Sequence, residues 1–175
     1  MAGAGSKTGE MIERAAAIGA GRSFQHVGVY EDAEGRTRFL RGIDVLVLPS
    51  HTEGTPNSIV EAMAQGVPVI ASAVGGIPDM LGREAGLLVP PGDAAALADA
   101  MVALARDRAL RLKMGRAARE RYERLFSPKV VLPLLLQTYG RLIASGAGEP
   151  RPARESGVDA ERRTAAAGGF QSDSL

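Results

Sequence analysis

Residues 44–72 read DVLVLPSHTEGTPNSIVEAMAQGVPVIAS, and the alternation within this stretch decides the fold. Residues 44–48 are a short apolar run rich in Val and Leu and closed by Pro49, the composition of a strand covered on both faces in a parallel sheet. A polar loop follows. Thr55 is placed to cap a helix with Pro56 at its first position, where the missing N–H costs nothing and φ is already helical. The helical pattern runs to about Gln65, with Ile59, Ala62 and Met63 as its buried stripe, and Gly66 suits the residue just past its end. Val67 to Ala71 is a second apolar, β-branched run, which Pro68 places near a strand end. The stretch therefore reads as a βαβ crossover.

Its chemistry lies where the loop meets the helix. The first N–H groups of a helix have no intrahelical partner and stand at the positive end of the macrodipole. Asn57, Ser58 and Ile59 would present such amides, and a site of this kind binds phosphate. Glu61 follows Glu53 by eight residues. Helical side chains lean back toward the N-terminus, so both carboxylates can reach one crevice. Two acids would repel phosphate itself. They fit better as acceptors for sugar hydroxyls on either side of a diphosphate.

At these residues the chain resembles a known family. PSHTEGTPNSIVEAMAQGVPVIAS followed by VGGIPDML is similar to the donor-site signature of the retaining GT-B glycosyltransferases, specifically glycosyltransferase family 4, also called glycosyl transferases group 1. The E-x7-E pair, matched by Glu53 and Glu61, is common by chance when alone. The contiguous match around it, through N-S-x-x-E-A-M-A-x-G-x-P-V-I-A-S and G-G-I-P, makes the resemblance specific, and looser similarity extends from Gly3 to about Ile143.

The resemblance implies a Rossmann-like parallel α/β sheet with helices on both faces, the C-terminal half of a GT-B fold. The implied reaction is transfer of a hexosyl group from a nucleoside diphosphate sugar, such as a UDP-sugar, to an acceptor hydroxyl with retention of configuration. Glu53 takes the catalytic place near the donor sugar and Glu61 the ribose. Gly54, Asn57, Ser58, Ile59, Gly75 and Gly76 complete the substrate-binding set. No Asp-x-Asp element is present, so neither a metal nor another cofactor is expected. The acceptor would be a carbohydrate or a lipid-linked hydroxyl, and peripheral membrane association of the full enzyme is compatible with that. The family's Gly-Arg-Leu strand and downstream Lys precede the region matched here, as does its acceptor-binding domain. The expectation is an N-terminally incomplete enzyme whose isolated chain binds donor weakly and turns over slowly or not at all. The alternative is a non-catalytic nucleotide-sugar-binding module or one subunit of a split enzyme, working with a separate acceptor-domain chain. A GT-B relative with epimerase or phosphorylase chemistry matches the E-x7-E context less well.

Composition sets the outer bounds. At 175 residues, with 45% hydrophobic and 23% charged residues, the chain is one soluble domain plus a little more. A net charge of +1 and 4% aromatic residues give no case for nucleic acid. The absence of cysteine excludes disulfides and thiolate metal sites. No long apolar span or signal peptide is visible, so a cytoplasmic location is expected.

The flanks read as supports. Gly3, Gly5 and Gly9 lead into a helix with Met11, Ile12, Ala15 and Ala16 on one side and Thr8 as its cap. Without a preceding strand or a Lys-Ser/Thr ending they do not make a phosphate loop. Residues 24–30 alternate and predict another strand, with His26 as a sheet residue, and 31–41 predict a short charged helix. VGGIPDML predicts a tight turn opening a short helix, and Asp79 stands where the family usually has Glu. Residues 86–89 predict a further strand, bringing the sheet to at least four. Asp93 can cap a helix with Leu97, Met101 and Leu104 on its stripe, and another follows with Leu110, Met114 and Tyr122. The arginines between 106 and 124 alternate with acids and read as a solvated face. His51 reads as a solvent-facing loop residue. Residues 129–143 form a last apolar helix with Leu132, Leu135, Leu136, Tyr139 and Leu142, closing a domain of residues 1–143. From 144 to 175 the chain is rich in Gly, Ala, Ser, Arg and Glu, the composition of a disordered tail.

Overall fold

The computed structural model describes residues 2–145, and the chain divides into two compact units, residues 1–131 and 132–175. In chain order the elements are α1 (Thr8–Ala17), α2 (Ala33–Arg41), β1 (Leu46–Leu48), α3 (Asn57–Ala64), β2 (Val69–Ser72), α4 (Ile77–Leu81), β3 (Gly86–Val89), α5 (Ala94–Arg106), α6 (Arg108–Leu125) and α7 (Pro128–Ala144).

β1, β2 and β3 form one parallel sheet in that order, with Leu46 opposite Val69 and Val69 opposite Gly86. Because strand side chains alternate, β2 serves two cores. Val69 and Ala71 pack with Ile59 and Met63 of α3 and with Ile77 and Leu81 of α4, while Ile70 packs on the other face with Val89 and with Leu104 of α5. Every residue of β2 is buried, whereas β1 is half-buried along its length. The expected α/β layering is therefore present, with helices on both faces of the sheet.

α3 is the crossover predicted from residues 44–72. Its stripe of Ile59, Ala62 and Met63 is fully buried. Gly66 closes it at φ +70, and Val67 N–H reaches back to Ala62 O at 2.9 Å, the helix ending that left-handed glycine permits.

Several expectations change. The strand expected over 24–30 does not form among the described residues, so the sheet has three strands. Gly28 at φ +73 interrupts the extended run, and the segment is tied to Gly3 instead of to the sheet: Gly3 N–H donates to Gly28 O at 2.6 Å, and His26 Nε2 lies 2.7 Å from Gly3 O. Thr8 lies inside α1 and does not cap it; its hydroxyl accepts from Gly5 N–H at 3.1 Å. Met101, expected on the buried stripe of α5, is exposed.

The arginines of α6 are more than a solvated face. Arg111 Nη1 donates to Ala105 O at 3.0 Å, Arg119 Nη1 donates to Ala64 O, and Arg121 donates to Met80 O and Asp79 O at 2.7 Å each. They satisfy carbonyls that α5, α3 and α4 leave unpaired at their C-terminal ends, where a cation also meets the negative end of the dipole.

In the second unit, the helix from Leu132 to Ala144 exposes its leucines, and Leu136 is 70% exposed. Ala144 is still helical, and the expected tail beyond Ser145 lies outside the described residues. Among the described residues no helix is long and apolar enough to cross a membrane.

Candidate functional site

Parallel strands bring their following loops to one edge of the sheet, the edge where ligands bind in open α/β sheets. Here the loops after β1, β2 and β3 meet. Gly76 N–H donates to Gly54 O at 2.9 Å, and a Cβ on Gly92 would stand 3.5 Å from His51 Cε1. A cavity of about 180 Å³ lies beside them, lined by Pro49, Ser72, Val89 and Gly92 among others. A larger groove of about 420 Å³ opens at the other end of the strands, beside Asp44 and Pro68. That groove is built around Arg111 and Arg119, whose guanidinium groups already hold helix carbonyls.

α3 begins at the loop edge. Pro56 is extended (φ −69, ψ 120), so it is the half-in residue and Asn57 is the first helical one, a position later than expected. Thr55 does not cap, and no side chain accepts from the first turn. Ile59 N–H donates to Pro56 O at 3.1 Å and its side chain is wholly buried. The expected trio of free amides thus narrows to Asn57 and Ser58, because Ile59 spends its donor on the tight first turn. Asn57 is exposed and Ser58 half-buried.

The two carboxylates have separate partners. Glu53 is half-buried, and Ser50 Oγ donates to its Oε1 at 2.8 Å. Glu61, in the second turn of α3, meets Arg36 Nη1 of α2 at 3.2 Å, with its side chain 30% exposed. Tyr30 belongs to the same corner: its ring lies 5.1 Å from that of Phe39, and burial, helped by the nearby Glu61 carboxylate, raises its phenol pKa above the ordinary 10.0.

Of the glycines, Gly54 and Gly75 are exposed and Gly76 is half-buried. Gly75 (φ +52) and Gly76 press on the main chain of residues 53 and 54. His51 is exposed, as its loop position predicts, and Asp79 is exposed with its carbonyl held by Arg121. Among the described residues no three His, Asp or Glu side chains gather as metal ligands.

The sequence reading missed Ser50, Arg36 and Tyr30. Ser50 had a local signal, three residues before Glu53 in P-S-H-T-E. Arg36 and Tyr30 had none, since they reach Glu61 only through the fold.

Comparison with known proteins bears on the family and the fold. The family model described as "Glycosyl transferases group 1" matches residues 1–107. The chain is 34% identical over 112 residues to the capsular polysaccharide biosynthesis glycosyltransferase CapM of Staphylococcus aureus, covering 63% of this chain and 30% of that protein. It is 38% identical over 132 residues to the phosphatidyl-myo-inositol mannosyltransferase of Mycobacterium leprae, covering 73% and 35%. In structure it is similar to the sucrose-phosphate synthase of Thermosynechococcus elongatus, with a TM-score of 0.75 and 35% identity over 81% of this chain and 35% of that one. The chain thus spans about a third of the length of these relatives. The family match spans the βαβ unit that holds Glu53 and Glu61: the chain belongs to the glycosyl transferases group 1 family, and its α/β fold is that of the GT-B glycosyltransferases.

Proposed function

We propose that this chain carries the donor site of a glycosyltransferase that moves a hexosyl group from a nucleoside diphosphate sugar to an acceptor hydroxyl with retention of configuration. The observation that carries the reading is the opening of α3, where the Asn57 and Ser58 amides have no side-chain cap and acidic residues stand before and after them.

In this reading the two amides hold the diphosphate at the positive end of the helix. As the bond to the departing phosphate breaks, negative charge grows on its oxygens, and fixed donors aimed there stabilise the transition state. Glu53, oriented by Ser50, accepts from the transferred sugar and faces the positive charge that develops on it. Glu61 accepts from the ribose hydroxyls. Arg36, paired with Glu61 at 3.2 Å, holds that carboxylate turned toward α2. The main-chain amides donate to the diphosphate oxygens without cancelling their charge, and no metal is invoked. The nucleobase, the sugar and the acceptor are chosen by other contacts.

Calorimetric titration tests this. UDP-glucose and GDP-mannose are titrated into the purified chain and into Glu61→Ala. One donor is expected to bind the parent, with affinity falling about tenfold in the variant, equivalent to about 1.4 kcal/mol. An unchanged affinity in Glu61→Ala, or no binding of either donor, contradicts the reading.

A further inference from the structure

We infer that Gly75 and Gly76 are positioning residues for Glu53: their missing side chains admit the Glu53–Gly54 main chain, and the space they free is filled by protein, not by donor. The inference rests on the donor-site reading above and deepens it.

A Cβ on Gly75 would stand 1.8 Å from Glu53 O, and one on Gly76 would stand 2.8 Å from Gly54 O. No side chain fits the first gap, and Gly75 also holds φ +52, which L side chains rarely adopt. The contact is bonded as well as close, because Gly76 N–H donates to Gly54 O at 2.9 Å. The loop that does the pressing is itself anchored. Ala73 N–H donates to Val89 O of β3 at 2.8 Å, and Ile77 just after the glycines is fully buried. A line of main-chain contacts therefore runs from the sheet through residues 73–76 to Glu53.

The other end of Glu53 is held by Ser50, whose hydroxyl donates to its carboxylate at 2.8 Å. Backbone and carboxylate are thus fixed from two sides, which narrows where the acid can point. Gly54 makes the contrast. A Cβ there would meet nothing within 4 Å, so Gly54 is the glycine of the loop whose open side faces space that a ligand can fill.

The test uses the 175-residue chain and its variants Gly76→Ala, Ser50→Ala, Glu53→Ala and Gly54→Ala. In the first arm, ¹H–¹⁵N spectra are recorded without ligand. Gly76→Ala is expected to move the amides of residues 50–54 while those of β1 and β2 stay in place; shifts confined to residues 74–78 overturn the inference. In the second arm, affinities for UDP and UDP-glucose, and for GDP and GDP-mannose, are measured by calorimetry. Gly76→Ala is expected to remove most of the tenfold-scale gain that the sugar adds while leaving nucleotide affinity within twofold. The same substitution in a Glu53→Ala background is expected to add less than twofold. A full loss in both backgrounds would mean that the glycine contacts the donor directly, and overturns the inference. Gly54→Ala is expected to weaken sugar-nucleotide binding in both backgrounds without moving the amides of residues 50–53. If Gly76→Ala does not fold, Ser50→Ala replaces it, with the same dependence on Glu53 expected. Failure of the parent to bind any nucleotide sugar would defeat the donor-site reading alone, since the ligand-free spectra still decide the positioning role.

Discussion

α3 and α5 lie on opposite faces of one sheet and open at the same edge, yet their first turns are built differently. α5 starts behind Asp93, whose carboxylate accepts from Ala96 N–H at 2.9 Å. α2 and α6 follow the same plan with Asp32 and Asp107. α3 starts behind an extended proline, with no side chain over its amides. α1 and α4 also lack a side-chain cap, but α1 follows no strand of the sheet, and α4 has only five residues, with Pro78 removing one of its first amides. An aspartate cap contributes about 1 kcal/mol, and it occurs three times among the described residues but not where α3 meets the loop after β1. Under the donor-site proposal, the difference means that α3 leaves its first amides open at the sheet edge where α5 closes them.

The largest expected effect probes what holds the two helices alike. Ile59 of α3 and Leu104 of α5 are both fully buried, one in each core. Ile59→Ala and Leu104→Ala are each expected to cost about 2–5 kcal/mol in denaturant unfolding. If one costs much less than the other, the two faces are not equivalent supports and the comparison loses its footing.

The caps come next. Asp93→Ala is expected to lower stability by about 1 kcal/mol and to leave donor affinity unchanged, because its partner amide belongs to the fold. Pro56→Asp does the opposite. It supplies α3 with the cap it lacks, which is expected to add about 0.5 kcal/mol or more of stability while the new charge repels the diphosphate. Paired unfolding and calorimetric curves check both variants. A Pro56→Asp protein that binds donor as well as the parent would break the contrast.

The smallest effect concerns the corner beside Glu61. Burial first, and the Glu61 carboxylate second, raise the Tyr30 phenol above 10.0, so the folded state favours the neutral ring. The associated stability is complete below the unfolded value and is lost as pH rises through the higher folded one. Unfolding followed between pH 9 and 11 is expected to show a weaker alkaline loss in Tyr30→Phe than in the parent, with no difference at pH 7.

Much of this was legible in the letters, and the limits have physical causes. Residues 44–72 carried their own periodicities, so β1, α3, β2 and the buried trio Ile59, Ala62 and Met63 followed from local pattern. Asp93 was readable as a cap because capping is a short-range contact. Residues 24–30 alternate like a strand, but a strand needs a neighbour, and Gly28 at positive φ turns the chain toward Gly3 instead. At the site, the spacing of Glu53 and Glu61 located the carboxylates but not their partners. Arg36 lies 25 residues before Glu61, and no local rule links them. The arginines of α6 misled for the same reason: alternation with acids describes a helix surface, and only the packed fold reveals that Arg111, Arg119 and Arg121 reach the ends of three other helices.

The most direct test of the open α3 terminus is a ¹H–¹⁵N titration of the labelled chain with UDP-glucose and with GDP-mannose. One donor is expected to move the Asn57 and Ser58 amides downfield, saturably and with a common midpoint, while the Asp93-capped amide of Ala96 stays in place. Saturation that leaves Asn57 and Ser58 unmoved, or that shifts Ala96 as far, would contradict the account.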